Sequence, residues 1–137
     1  MPQDLTPQQL LAMPATDYMN GEQLAYFAHL LQSLKAEISN NAAHTGAHLR
    51  ETEDAADPAD RATQEEVRTL ELRARDRERK LLKKVNAALR RIEDGSYGYC
   101  EETGEAIGLA RLLARPTATL CVEAQERHER RERQFGH

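Results

Sequence analysis

Cys100, Thr103, Cys121 and Ala124 stand at the spacing where four thiolates would hold a zinc ion. The pattern reads C-x2-T, seventeen residues, then C-x2-A, so the frame C-x2-C-x15-20-C-x2-C has lost its second and fourth sulfurs. Structural zinc requires four thiolate or imidazole ligands, and a threonine hydroxyl with an alanine methyl cannot complete that shell at neutral pH. The expectation is a segment that folds with no bound zinc and has no metal site. What is forgone is large, because zinc contributes roughly 10 to 16 kcal/mol of folding energy in small modules. Packing among Tyr97, Tyr99, Ile107, Leu109, Leu112, Leu113 and Leu120 must replace it. Two uses of the remaining sulfurs stay open, a reversible disulfide and zinc held with an outside ligand. A lone disulfide is uncommon in a cytosolic helical protein.

Other residues with possible chemistry are fewer. His44 and His48 lie one helical turn apart, as two metal ligands could, but no third ligand accompanies them. There is no Ser-His-Asp order and no glycine-rich phosphate loop, so nothing points to an enzyme. Charge is the stronger signal. Residues 51 to 66 carry seven acids against a single Arg61, a net of −6, and residues 73 to 91 carry nine cations against Asp76 and Glu78, a net of +7. A solvated helix face accounts for many such runs. Adjoining blocks of opposite sign also suit a charged partner met in a fixed orientation.

Long helices must position these blocks. The chain has 137 residues, only 4 % of them aromatic and 31 % charged, which disfavours a large globular core and favours an elongated helical protein. Leu24, Leu31, Ile38 and Thr45 repeat every seven residues beside Phe27, Leu34, Asn41 and His48, forming an a/d seam. Val67, Ala74, Leu81 and Ala88 form a second row, with Leu70, Val85, Leu89 and Ile92 next to it. The fold class is therefore mainly α, a long antiparallel helical hairpin with a small lobe derived from the zinc-ribbon frame and a C-terminal helix. About 30 residues per arm gives a rod of roughly 45 Å. Asp57 suits the N-cap of the second arm and Pro58 its first turn, while Gly95 suits its C-cap. The polar Asn41 and His48 predict that the tip end of the hairpin is its less stable half.

Four segments follow from this reading. Residues 1–19 form an N-terminal segment packing near the lobe, 20–95 the hairpin with an acidic tip near 51–62, 96–120 the degenerate ribbon-like lobe, and 121–137 the C-terminal helix and tail. No apolar run reaches the roughly 20 residues that span a membrane. The first residues have neither a basic nor an apolar targeting region, so a cytoplasmic protein is expected.

Longer runs carry a resemblance. D-P-A-D-R-A-T-Q-E-E from Asp57, L-E-L-R-A-R-D-R-E-R-K-L-L-K-K from Leu70, G-Y-C-E-E-T-G-E-A-I-G, and L-L-A-R-P-T-A-T-L-C resemble the DksA family of bacterial RNA polymerase regulators. Tyr18-Met19-Asn20 with Gln23-Leu24 extends the match, which covers about residues 18 to 133. The two missing sulfurs make the chain similar to a zinc-independent paralogue within that family.

The resemblance implies a transcription regulator. Its hairpin would enter the polymerase secondary channel, place the tip near the active site and modulate initiation, with no direct DNA binding. Asp57, Asp60 and Ala62 match the family's tip positions, and Arg77 matches a polymerase-docking position. Guanosine tetraphosphate would be the effector, at positions matching Leu81, Lys84 and Arg115, with Gln125 where the family has a lysine. A monomer is expected, with no membrane partner. A coiled-coil adaptor, or a thiol redox-responsive binding protein acting on another partner, is the alternative the residues themselves leave open.

Overall fold

Pro58 fixes the backbone angle that a first helical turn requires, and from there to Asp94 the chain contains no further proline and no glycine. It forms one uninterrupted helix. The computed structural model describes residues 5–53 and 58–135, with side-chain surroundings for 5–41 and 61–134. Its elements are α1 (Pro7–Leu11), a 3-10 turn (Ala15–Asp17), α2 (Gly21–Glu53), α3 (Pro58–Asp94), α4 (Leu109–Ala114) and α5 (Val122–Phe135). Among the described residues the one strand-like pairing is an isolated antiparallel bridge between Tyr99 and Ala106. The fold is mainly helical, as the heptads predict.

Two units make up the molecule. One is Gln32–Asn86, and the other joins the residues up to Leu31 to those from Ala87 onward. The first consists of the hairpin portions of α2 and α3. Ile38 and Val85 are its buried apolar anchors. The expected row on α3 is unevenly covered, since Leu70 is 62 % exposed and Val67 36 %, while Ala74 and Leu81 are half-buried. Heptad spacing reports which residues share a face, but not how closely that face is covered along its length.

The second unit, the lobe, is held by ties between residues far apart in sequence. Thr6 caps α1 through a capping box with Gln9, Leu10 is fully buried, and α1 lies against α4. The Tyr18 hydroxyl donates to the Gly98 carbonyl at 2.6 Å and accepts the Gly108 N–H at 3.0 Å. One side chain thus joins both sides of the turn that carries Cys100. Met19 has a positive φ of 56°, and its N–H donates at 2.9 Å to the fully buried Gln23 side chain. Gly98 must be glycine here, because its φ is +91° and a Cβ would lie 2.7 Å from the Met19 sulfur. Tyr97 is buried against Phe27, ring centroids 5.6 Å apart, and donates its hydroxyl to the Pro116 carbonyl at 2.8 Å.

Helix α3 stops at a glycine cap. Gly95 adopts φ +85°, and the N–H groups of Ser96 and Tyr97 both reach the Arg91 carbonyl. Asp94 accepts hydrogen bonds from the Ser96 hydroxyl and N–H, which hold its carboxyl below the usual range. The 96–120 segment differs from a plain ribbon in containing α4. Gly108 opens that helix at φ +103°, and Arg115, restricted by the proline after it, closes it.

Candidate functional site

The turn from Cys100 to Glu105 is shaped by its own backbone. Cys100 N–H donates to Glu105 O at 2.8 Å, Gly104 N–H returns to Cys100 O at 2.9 Å, and Glu101 N–H reaches Thr119 O at 2.9 Å. The turn is thereby attached to the irregular stretch that leads into α5. Cys100 and Cys121 are free thiols, 3 % and 4 % exposed. Thr103 accepts the Glu105 N–H on its hydroxyl at 3.2 Å, and the same oxygen lies 3.9 Å from the Cys121 sulfur. Ala124 is fully buried. Burial pushes the Cys100 thiol up, but the Thr103 hydroxyl and the backbone of Cys121, Thr103 and Glu102 outweigh it and bring it down to about 6.

A four-thiolate metal cage does not fit these residues. The position of a fourth ligand holds a methyl group packed into the core, and the hydroxyl at Thr103 is already engaged with backbone and thiol. Among the described residues the metal-type grouping is a different one. Glu105, Cys121 and Glu123 bring ligand atoms within 4.8 Å of one another, with both carboxylates exposed. The packing expected to replace a metal is partly present. Tyr97, Ile107 and Leu112 are buried and Leu109, Leu113 and Leu120 half-buried, while Tyr99 is 39 % exposed and edge-on to Tyr18 at 5.6 Å.

Glu102 carries a tie that the linear sequence does not reveal. Its carboxylate meets His128 Nε2, and Arg127 lies 3.5 Å away on the same helix. The hydrogen bond from His128 is the largest cause holding the Glu102 carboxyl below its ordinary range; desolvation opposes it, and the charge of His128 and the hydrogen bond and charge of Arg127 add to the lowering. Twenty-six residues separate Glu102 from His128, so no helical or strand period links them. The Tyr18 hydroxyl was equally hidden, although Tyr18 itself belongs to the run Y-M-N.

The positions implied for a polymerase regulator fall in both units. Asp57 lies outside the described residues. Asp60 is in the first turn of α3, where a carboxylate is favoured by the helix dipole, but its side chain also lies outside them. Ala62 is exposed at one end of an open groove of about 620 Å³ lined by Glu65, Glu66, Thr69, Leu70 and Arg73. Arg77 and Lys84 are exposed and Leu81 half-buried, and these three belong to the hairpin unit. Arg115 and Gln125 belong to the lobe. Arg115 is the exposed C-cap of α4, and Gln125, half-buried on α5, donates to Glu129 at 3.3 Å. His44 and His48 lie on the part of α2 whose side chains are outside the described residues.

Comparison with known proteins accounts for both units. The family model for the N-terminal domain of DnaK suppressor protein DksA matches residues 23–92. A chain from Caulobacter vibrioides, RNA polymerase-binding transcription factor DksA, is 65% identical over 117 residues, 85% of this chain and 82% of that one. The chain belongs to the DksA family. A further relative, DksA of Escherichia coli strain K12, is 46% identical over 124 residues, covering 90% of this chain and 82% of its own. The solved structure of transcription factor DksA2 from Pseudomonas aeruginosa superimposes with a TM-score of 0.86 at 48% identity, covering 93% of this chain and 99% of that one. The prokaryotic dksA/traR C4-type zinc finger model matches residues 95–130. This DksA-family member retains the outline of that finger with two of its four sulfurs.

Proposed function

We propose that this protein binds RNA polymerase and regulates transcription initiation. The 65% identity across 85% of the chain to a protein named RNA polymerase-binding transcription factor DksA carries the reading. In this proposal the hairpin enters the secondary channel and Asp57, Asp60 and Ala62 face the active site. A carboxylate on the first turn of a slender helix can approach the cations or magnesium of such a centre, and the small Ala62 leaves room beside it. Arg77 docks on the channel rim.

Guanosine tetraphosphate is the proposed effector, with Lys84 and Arg115 as its cationic partners and Leu81 and Gln125 as the other family-matching positions. Lysine and arginine are the usual partners of phosphate oxygens, and Gln125 in place of a third cation lowers affinity and salt dependence together. The protein acts as a cytoplasmic monomer, as a regulator rather than a catalyst, and without touching DNA. No described helix is long and apolar enough to cross a membrane. Folding proceeds without zinc, which two thiols, a hydroxyl and a buried methyl support.

The test is multi-round transcription from a ribosomal RNA promoter with metal-stripped protein, with and without guanosine tetraphosphate. The wild type inhibits and Asp60→Ala binds polymerase but does not inhibit. Absence of inhibition by the wild type, with no polymerase recovered by pull-down, makes the chain a coiled-coil adaptor for another partner.

A further inference from the structure

The lobe keeps a metal-finger outline without a metal cage, so some other linkage must hold the 100–104 turn to α5. In a four-thiolate finger the ion makes that linkage, because two ligands come from each side. Here the two sides are Cys100 with Thr103, and Cys121 with Ala124. Across them, among the described residues, Thr103 Oγ1 lies 3.9 Å from Cys121 Sγ and the Cys121 backbone hydrogen-bonds the Cys100 sulfur, while the backbone bond from Glu101 ends at Thr119, before α5 begins. None of these reaches past the residue that precedes the helix.

Glu102 does. It sits between the two former ligand positions of the turn, and its carboxylate engages both His128 and Arg127, nearly two turns into α5. The first turn of that helix starts from Cys121, whose carbonyl accepts the Gln125 N–H at 3.0 Å. We infer that Glu102, His128 and Arg127 form a salt clasp that does the positional work of the missing metal cage, fixing the turn against α5. The division of labour follows from magnitudes. A partly exposed ion pair contributes far less than a bound zinc. The stability of the lobe therefore resides in its apolar core, and the clasp sets which face of α5 meets the turn. All three groups are partly solvent-exposed, with side-chain accessibilities of 38 %, 41 % and 49 %, so the clasp responds to salt as a metal cage would not.

Hydrogen exchange of backbone amides in full-length, metal-stripped protein tests this without polymerase, so its outcome is independent of the proposed function. Glu102→Ala should accelerate exchange about threefold at residues 100–105 and 121–128, with α1 and the Tyr18 turn unchanged. Sodium chloride at about 1 M should do the same to the wild type and nothing further to Glu102→Ala. The decisive comparison restores the cage with Thr103→Cys and Ala124→Cys and loads it with zinc. If clasp and cage perform one task, Glu102→Ala has no effect on exchange in that zinc-loaded background. An equal acceleration with and without the restored cage overturns the inference. So does a wild type whose 100–105 and 121–128 amides ignore salt, which needs no cysteine variant to fold.

Discussion

The hairpin unit between Gln32 and Asn86 is anchored by two buried apolar side chains among its described residues, Ile38 and Val85. The lobe unit buries Leu10, Phe27, Leu31, Tyr97 and Leu112 to 1 % exposure or less, and adds hydrogen bonds that join residues 80 and 90 positions apart. One unit is held by local helical hydrogen bonds and a narrow seam. The other is held by non-local packing and polar ties. The difference teaches that long helices can persist with little core of their own, whereas a lobe of short elements needs ties between residues far apart in sequence. It also means that damage to the two units should be separable, and the first prediction is chosen to separate them most widely.

Phe27→Ala removes a fully buried ring that packs on Tyr97 and Tyr26, and large aromatic truncations of this kind cost about 3 to 5 kcal/mol. Denaturation followed by tyrosine fluorescence, which reports mainly the lobe, should lose that much, while helical circular dichroism retains a more resistant hairpin phase. A single coincident transition would show that the units do not unfold separately. Gly98→Ala comes next. Its left-handed backbone angle and the 2.7 Å approach to the Met19 sulfur combine strain with overlap, and about 2 kcal/mol is expected because the methionine end can yield partly. The same two-probe denaturation experiment measures it, and a loss below about 0.5 kcal/mol would mean the turn at Met19 is not held as described.

Legibility divides along the same line. The ends of α3 follow from Pro58 and Gly95, and the long helices from heptads, because these signals are local and repeat along the chain. The former metal frame was visible in four positions and their spacing. Helix α4 was hidden among the glycines of 96–120, since a six-residue helix spans less than two turns and gives periodicity little to act on. Glu102, His128 and the bridging Tyr18 hydroxyl were hidden for another reason. Their partners are set by the tertiary fold, and an acid or a tyrosine in a charged or aromatic stretch looks the same with or without a partner.

Alkaline pH should sharpen the contrast through the tyrosines, all four of which lie in the lobe unit. Burial raises Tyr97 strongly, and burial also raises Tyr18 even though its hydrogen bonds with the backbone partly oppose the rise. A raised folded-state value means the neutral phenol is favoured in the folded state. The contribution is complete below the ordinary tyrosine value of about 10 and is lost as pH climbs above it, because the unfolded chain then ionises first. Tyrosine-monitored stability of the lobe should therefore fall from about pH 10 upward. Tyr18→Phe should weaken that fall but also cost about 1 kcal/mol at neutral pH, since Gly108 N–H and Gly98 O lose their shared partner. A pH profile identical in Tyr18→Phe and wild type would assign the whole effect to Tyr97.

The smallest effect is expected at a heptad position that the structure leaves exposed. Leu70 belongs to the apolar row of α3, and a seam leucine cut to alanine costs about 2 to 5 kcal/mol. At 62 % exposure it has little burial to lose, so Leu70→Ala should change thermal stability by less than about 0.5 kcal/mol. Val85→Ala in the same helix, at a fully buried position, is the internal control and should cost several times more. If both cost the same, the row is a continuous seam in solution and the uneven cover along α3 is wrong. If only Val85 matters, the exposed apolar side chains at Val67, Leu70 and Leu72 contribute little to the fold of the free protein, and they belong to the surface that α3 presents rather than to a core.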